Sequence, residues 1–455
     1  MPPTSPPSRP RFVSPVPARE DVADPRLRAD PLADDAMARI LGEWNDGTPR
    51  LSRWEALASV ERALAGWETN GALAAWRPEE GTPAPIAAAL EDYLQQARRL
   101  PDWVDAGKIG CAESVFAGLG TLAIALPACA GLPESVMAPD PLEQAPGERL
   151  RAAAALQDAA LGSGGLLAPH GAGLAQVLRL RLMNAALRHL VVRGNPGEAL
   201  DYGAAIPALL PEGAGPWRAL FARGWDLGAH GLPCNQEALA HALLTRHYVF
   251  LRSLRRLGLG LNRQEERSWL HAWNLVGHLL GIDAALLPAT MKEAAALFAR
   301  LRRGAHAGAK TTDPRPARAA VLMQALGDAT GARAWKPLPV LLARRLCDPA
   351  TVRVLGLDNR VSRPARALFA LGMGAARVTD TAARLLCPGL SLRRLAVRML
   401  GDRLALRFLA DPAGSPDWQA DPAAPRWVNA VERRLRPALA VRMAPARGLA
   451  LEEIA

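Results

Sequence analysis

Histidine is the side chain best suited to bind a transition metal or move a proton near neutral pH. This chain has eight, at 170, 189, 230, 241, 247, 271, 278 and 306. Their spacing defines no ligand set by itself. His271 and His278 are seven residues apart, so on a helix they share a face to within about 20°, but they stand about 10 Å apart along its axis, too far to chelate one ion. His241 and His247 fall about 240° apart on a regular helix, on different faces. The signatures of other chemistries are missing: there is no Walker sequence, no G-x-S-x-G and no H-E-x-x-H. The pair Gly171-Ala-Gly173 has Gln176 where a dinucleotide fingerprint needs its third glycine. Phosphate-cradling loops and ordinary hydrolase machinery are therefore set aside. The five cysteines, at 111, 129, 234, 347 and 387, are odd in number, widely spaced and without a Cys-x-x-Cys pair. They predict buried thiols in a reducing compartment, with neither a zinc ribbon nor a disulfide framework.

The elements that must position these side chains read as helices nearly throughout. Runs of Val, Ile and Thr in period-two alternation are almost absent, so a sheet has little material. Pro83 and Pro85 open IAAALEDYLQQARRL. Asn235 is suited to cap a helix from Gln236 to Leu257, closed by Gly258. Asn262 with Glu265 three residues on forms a capping box for a helix to about Leu280, stopped at Gly281. Within it Trp269, Leu270, Trp273, Val276, Gly277 and Leu280 make one apolar stripe. No fixed-period repeat and no clear interdomain linker is visible. The expectation is an all-α protein: a Pro-rich disordered tail over 1–30, then a single large helical globule over 31–455.

Half of the 455 residues are apolar, enough for a large core, and 22% are charged. The net charge of +11 would suit nucleic acid. Its make-up does not. Lysine occurs only at 108, 292, 310 and 336, so 51 of the 55 basic residues are arginines, spread along the chain without clustering. No nucleic-acid partner is expected. The N-terminus has no apolar signal region, which points to the cytoplasm. The run from Ser114 to Pro133 is uncharged for 20 residues, the length of a membrane span, but its glycines and prolines predict a buried helix broken near Pro127, with peripheral membrane contact as the alternative.

Two blocks carry a family resemblance. LLAPHGAGLAQVLRLRLMNAALRHLV (166–191) contains the turn Pro169-His170-Gly171 and the helix Arg181-Leu-Met-x-Ala-Ala-x-Arg188-His189. PCNQEALAHALLTRHYVFLRSLRRLGLGLNRQEERSWLHAWNLVGHLLGID (233–283) carries the Pro-x-Asn-Gln start, the Arg-Arg-Leu-Gly end and the Leu-His-x-Trp helix with its second histidine. Both resemble the latex clearing proteins and their relatives, the MpaB-type oxygenases, most clearly over residues 100–360.

The resemblance implies an all-helical protein around one non-covalent haem b, which activates dioxygen to cleave apolar double bonds. It implies an iron-binding histidine at the position that here is Asn184, with Arg181, Arg188 and His189 on the same helix and His271 and His278 supporting the cofactor pocket. It implies an Arg, Lys and Thr in one turn near the haem; here Arg149 is kept and Ala152 and Ala153 stand for the others. An acid proposed as base aligns with Glu134. The departure at 184 matters because haem iron is normally held by His, Cys, Met or Tyr, and a carboxamide is a weak donor. His170, in the glycine-rich turn, is the substitute metal ligand that the sequence suggests. The resulting expectation is an oxygenase using haem b and dioxygen on a small apolar alkene or isoprenoid, with an altered axial ligand. The alternatives are a haem-free helical protein with a structural or ligand-binding role, or a peripheral membrane protein.

Overall fold

The computed structural model describes residues 24–42, 51–120, 122–137, 146–199, 205–211, 216–305, 315–329, 336–358 and 360–386. The expected tail lies almost wholly outside them. The helices are α1 (Pro31–Leu41), α2 (Arg53–Ala65), α3 (Asn70–Ala75), α4 (Ala84–Ala97), α5 (Ala106–Leu119), α6 (Leu122–Ala130), α7 (Leu132–Met137), α8 (Pro146–Leu161), α9 (Gly173–Val192), α10 (Pro196–Ala199), α11 (Pro216–Ala222), α12 (Leu227–His230), α13 (Gln236–Leu244), α14 (Phe250–Leu257), α15 (Arg263–Leu279), α16 (Met291–Ala305), α17 (Arg315–Ala329), α18 (Leu338–Leu346), α19 (Pro349–Val354) and α20 (Arg363–Leu386). Among the described residues the only sheet is a two-residue antiparallel ladder, with Ala205 opposite Asp226 and Ile206 opposite Trp225. The fold is all-α.

Local chemistry sets several helix ends. Asn262 Oδ1 accepts from the Gln264 and Glu265 backbone N–H groups at 2.9 Å, while Glu265 Oε2 accepts from Asn262 N–H at 2.8 Å, which completes the capping box of α15. Asn235 Oδ1 caps α13 through Ala238 N–H. The predicted helix from Gln236 to Leu257 closes at Gly258, which adopts φ 74°, but it is not regular. Thr245–Val249 form a π-turn that splits it into α13 and α14.

The uncharged 114–133 run breaks earlier than expected. The break is at Gly120, φ 51°, and α5 and α6 meet at 86°. Pro127 instead lies inside α6. Proline has no N–H to give to the carbonyl four residues back, and Gln157 Nε2 of α8 donates to that Ala123 carbonyl at 2.9 Å. A side chain from another helix thus replaces the lost backbone bond. Among the described residues no single helix is long and apolar enough to cross a membrane.

One continuous apolar core runs from Ala33 of α1 to Val361. Within it α15 packs along α5, α1 lies against α4 and α9, and α8 packs on α9. The α8–α9 approach is tight at its closed end. A Cβ on Gly173 would stand 2.6 Å from Ala159 O and 2.8 Å from Ala160 Cα, so glycine is required where the two helices touch.

Candidate functional site

Helix α9 carries four of the residues singled out in the sequence, Arg181, Asn184, Arg188 and His189, and its faces have different work. One face is polar yet buried. Arg181 Nε and Nη2 reach Asp30 at 2.5 and 2.7 Å. Arg188 Nε reaches Asp34 Oδ1 at 2.8 Å, and its Nη1 donates to the Cys234 carbonyl at 3.0 Å. His189 Nε2 donates to the Asp34 carbonyl at 3.1 Å. All three side chains are buried. They fasten α1 to α9, and Gln236 extends the knot by donating to the Ala29 and Gly281 carbonyls and accepting from Asp283 N–H, each at 2.9 Å. The sequence expected Arg181, Arg188 and His189 at a cofactor; the structure engages Arg181 with Asp30 and Leu279 O, Arg188 with Asp34 and Cys234 O, and His189 with the Asp34 carbonyl. Their partners, Asp30 and Asp34, lie far upstream, and nothing in the local sequence pairs them.

His271 and His278 also have protein partners. His271 Nε2 accepts from Asp105 N–H at 3.0 Å, and His278 bonds the backbone of Arg99. Both rings stand edge-on to Trp103, with centroids at 5.3 and 6.2 Å. Burial lowers both from the ordinary histidine range. They hold the segment that leads into α5 against α15.

His170 stands exposed on the turn between α8 and α9. Its ring lies over Gly164, beside Glu113, whose Oε2 accepts from Gly164 N–H at 3.1 Å. The turn is fixed by Asn70. Its Nδ2 donates to the Gly165 and Ala168 carbonyls at 2.9 and 2.8 Å, and its Oδ1 accepts from Ala175 N–H at 3.2 Å. The structure thus places His170, the substitute metal ligand suggested by the sequence, on an exposed turn held in place by Asn70.

Asn184 lies on the remaining face of α9, with Gln176, Leu180 and Met183. These four are half-buried, whereas most of the helix is fully buried. This face is apolar except for two carboxamides. Arg149 sits half-buried near the start of α8, with Ala153 half-buried and Ala152 exposed one turn on. Glu134 belongs to α7, and its side chain lies outside the described residues.

A haem held by imidazole does not fit position 184, because Asn184 presents an amide where iron needs a nitrogen lone pair. No group of three or more His, Cys, Asp or Glu able to hold a bare metal ion occurs among the described residues. In the π-turn, His247 is fully buried and neither ring nitrogen has a protein partner. Burial holds it neutral, with its pKa lowered to about 3. Spacing alone gave His247 no distinction; burial does.

Comparison with known proteins agrees with this architecture. The sequence model of the family described as "ER-bound oxygenase mpaB/B'/Rubber oxygenase, catalytic domain" matches residues 114–378. A rubber oxygenase from Streptomyces sp. (strain K30) is 24% identical over 232 residues, covering 49% of this chain and 50% of that protein. The match therefore spans about half the length of this relative. The solved structure of latex clearing protein LCP in the closed state has the same fold, with a TM-score of 0.53 at 19% identity, covering 86% of this chain and 92% of that one.

Proposed function

The chain belongs to the family of the ER-bound oxygenase mpaB/B'/rubber oxygenase catalytic domain, and from that membership we propose that it is an oxygenase using haem b to join dioxygen to a small apolar alkene or isoprenoid-like substrate. The family match across 114–378 carries this reading, because it takes in α8, the Asn70-stapled turn, α9 and α15. Haem b, when bound, supplies the activation of dioxygen.

The chain's own residues give the reading its chemistry. Leu180 and Met183 offer an apolar wall suited to a hydrocarbon, and Asn184 beside them adds a neutral donor and acceptor that orients a polar end without a charge. Arg149 supplies a cation at the start of α8 for dioxygen or a developing oxyanion. The α1–α9 ion pairs and the histidines around Trp103 hold α9 and α15 at fixed angles, so this face keeps its shape.

The test is a purified full-length protein expressed with a haem precursor. The expected result is one haem per chain by pyridine haemochrome, and oxygen uptake on adding a short isoprenoid alkene with carbonyl products by mass spectrometry. Protein without haem, or haem protein inert toward a panel of such alkenes, overturns the reading.

A further inference from the structure

The uncharged 114–133 run, which by length could have met a membrane, is taken up by the core: Val115, Phe116, Leu119, Ala123, Leu126 and Leu132 are all buried. An apolar surface stands elsewhere. Among the described residues α20 is the one element with three large apolar side chains exposed, Leu368 at 72%, Leu371 at 71% and Val378 at 69%. With Ala375 they fall at i, i+3, i+7 and i+10, which makes one stripe along the helix.

This stripe is not the one that docks α20. Ala365, Phe369 and Met373 are half-buried against the apolar core, centred about 140° round the helix from the exposed row. Arg366 anchors the first turn by donating to Val361 O at 3.0 Å and to Asp358 O at 2.6 Å. Packing on the globule thus accounts for one face and leaves the other to solvent. Single exposed leucines need no explanation, whereas a contiguous exposed row marks a surface that meets something.

Charge and side-chain type select the partner. Arg360 and Arg363 are exposed where α20 begins, and among the described residues no carboxylate pairs with either. The α20 sequence holds four arginines, at 363, 366, 377 and 384, against one acid, Asp380. From 387 to 410 the sequence adds five arginines and one aspartate. A second copy of the chain would bring like charge to the same face. The exposed row is aliphatic throughout, whereas protein hot spots are enriched in Trp and Tyr, with Leu and Val under-represented. Aliphatic side chains beside arginines suit acyl chains beneath anionic headgroups.

We propose that α20 is a membrane-docking helix, lying in the plane of a bilayer that carries anionic lipid. Leu368, Leu371 and Val378 enter the acyl boundary, and Arg360 and Arg363 meet the headgroups. The docking requires no haem, so it stands or falls apart from the oxygenase reading.

The test is co-sedimentation of the full-length protein with vesicles of phosphatidylcholine, or of phosphatidylcholine mixed with phosphatidylglycerol. Binding to the mixed vesicles is expected to be at least about tenfold tighter and to weaken as salt rises. The triple variant Leu368→Ser, Leu371→Ser, Val378→Ser and the double variant Arg360→Ala, Arg363→Ala are each expected to lose at least about tenfold in affinity. Their circular dichroism and urea unfolding should stay those of the wild type, because these side chains are exposed. Leu210→Ser, at an exposed leucine outside α20, should bind as the wild type does. A wild type that stays in the supernatant overturns the proposal, as does full affinity in the triple variant or a loss that follows Leu210→Ser instead. A dimer that the triple variant splits into monomers would give the row to a second copy. A triple variant with lower urea stability would give it to another segment of the same chain. Either result also overturns membrane docking.

Discussion

Arg188 shows how a residue that looks functional in a motif is used for attachment. Its guanidinium is buried against Asp34 and the Cys234 carbonyl, and its Nη2 has no partner. Burial raises Asp34 to about 6, with Arg188 opposing that rise. Removing one member of such a pair strands the other charge, at a cost of about 3–5 kcal/mol. Arg188→Ala is therefore expected to lower urea stability by that amount. Asp34→Asn, which keeps an acceptor, should cost less. Equal losses from the two variants would mean that geometry, and not stranded charge, sets the penalty.

At the level of elements, the α6–α8 contact rests on one compensated defect. Pro127 deprives Ala123 O of its donor and Gln157 replaces it. Gln157→Leu should destabilise by about 1–3 kcal/mol, the cost of a buried carbonyl left unpaired. In a Pro127→Ala background, where the backbone N–H returns, the same change should cost clearly less. A double-mutant cycle of unfolding free energies measures the difference, and simple additivity would refute the compensation. The turn before α9 is governed likewise by one side chain. Asn70→Ala removes three hydrogen bonds and is expected to expose residues 162–170 to limited proteolysis before the rest of the chain unfolds.

For the molecule as a whole, buried neutral histidines set the response to acid. Burial lowers His189 and His241 to about 4 and His247 to about 3, from an ordinary 6.5. A folded-state pKa below the unfolded one gives stability that is present above pH 6.5 and lost as pH falls toward 4. Asp34 acts oppositely: raised from 3.8 to about 6, its contribution is present below 3.8 and lost as pH rises through 6. Of these four groups, the three histidines outweigh the one aspartate and favour proton uptake on unfolding between pH 4 and 6; burial of His271 and His278 adds to that uptake, and burial of Glu113, Asp158 and Glu237 opposes it. Urea midpoints should fall steadily from pH 7 to pH 4.5, and His247→Phe should reduce that slope by about one proton. A flat profile would show that these rings are protonated in the native state.

Local sequence determined what depends on neighbours along the chain. Helical periodicity, the capping box at Asn262, the stop at Gly258 and the buried stripe of α15 are set by side chains reaching three or four residues, and composition excluded a sheet-based fold. The motifs around 166–191 and 233–283 also carried the family. The bend between α5 and α6 was not legible in the same way, because the proline suggested a break that a distant glutamine repairs. The tertiary structure alone decided which polar residues were available for chemistry. Arg181, Arg188, His189 and His271 became occupied only when Asp30, Asp34 and Asp105 were folded against them, and His247 was left unbonded. Whether a buried donor or acceptor is satisfied depends on partners tens to hundreds of residues away, and spacing along one helix does not specify them.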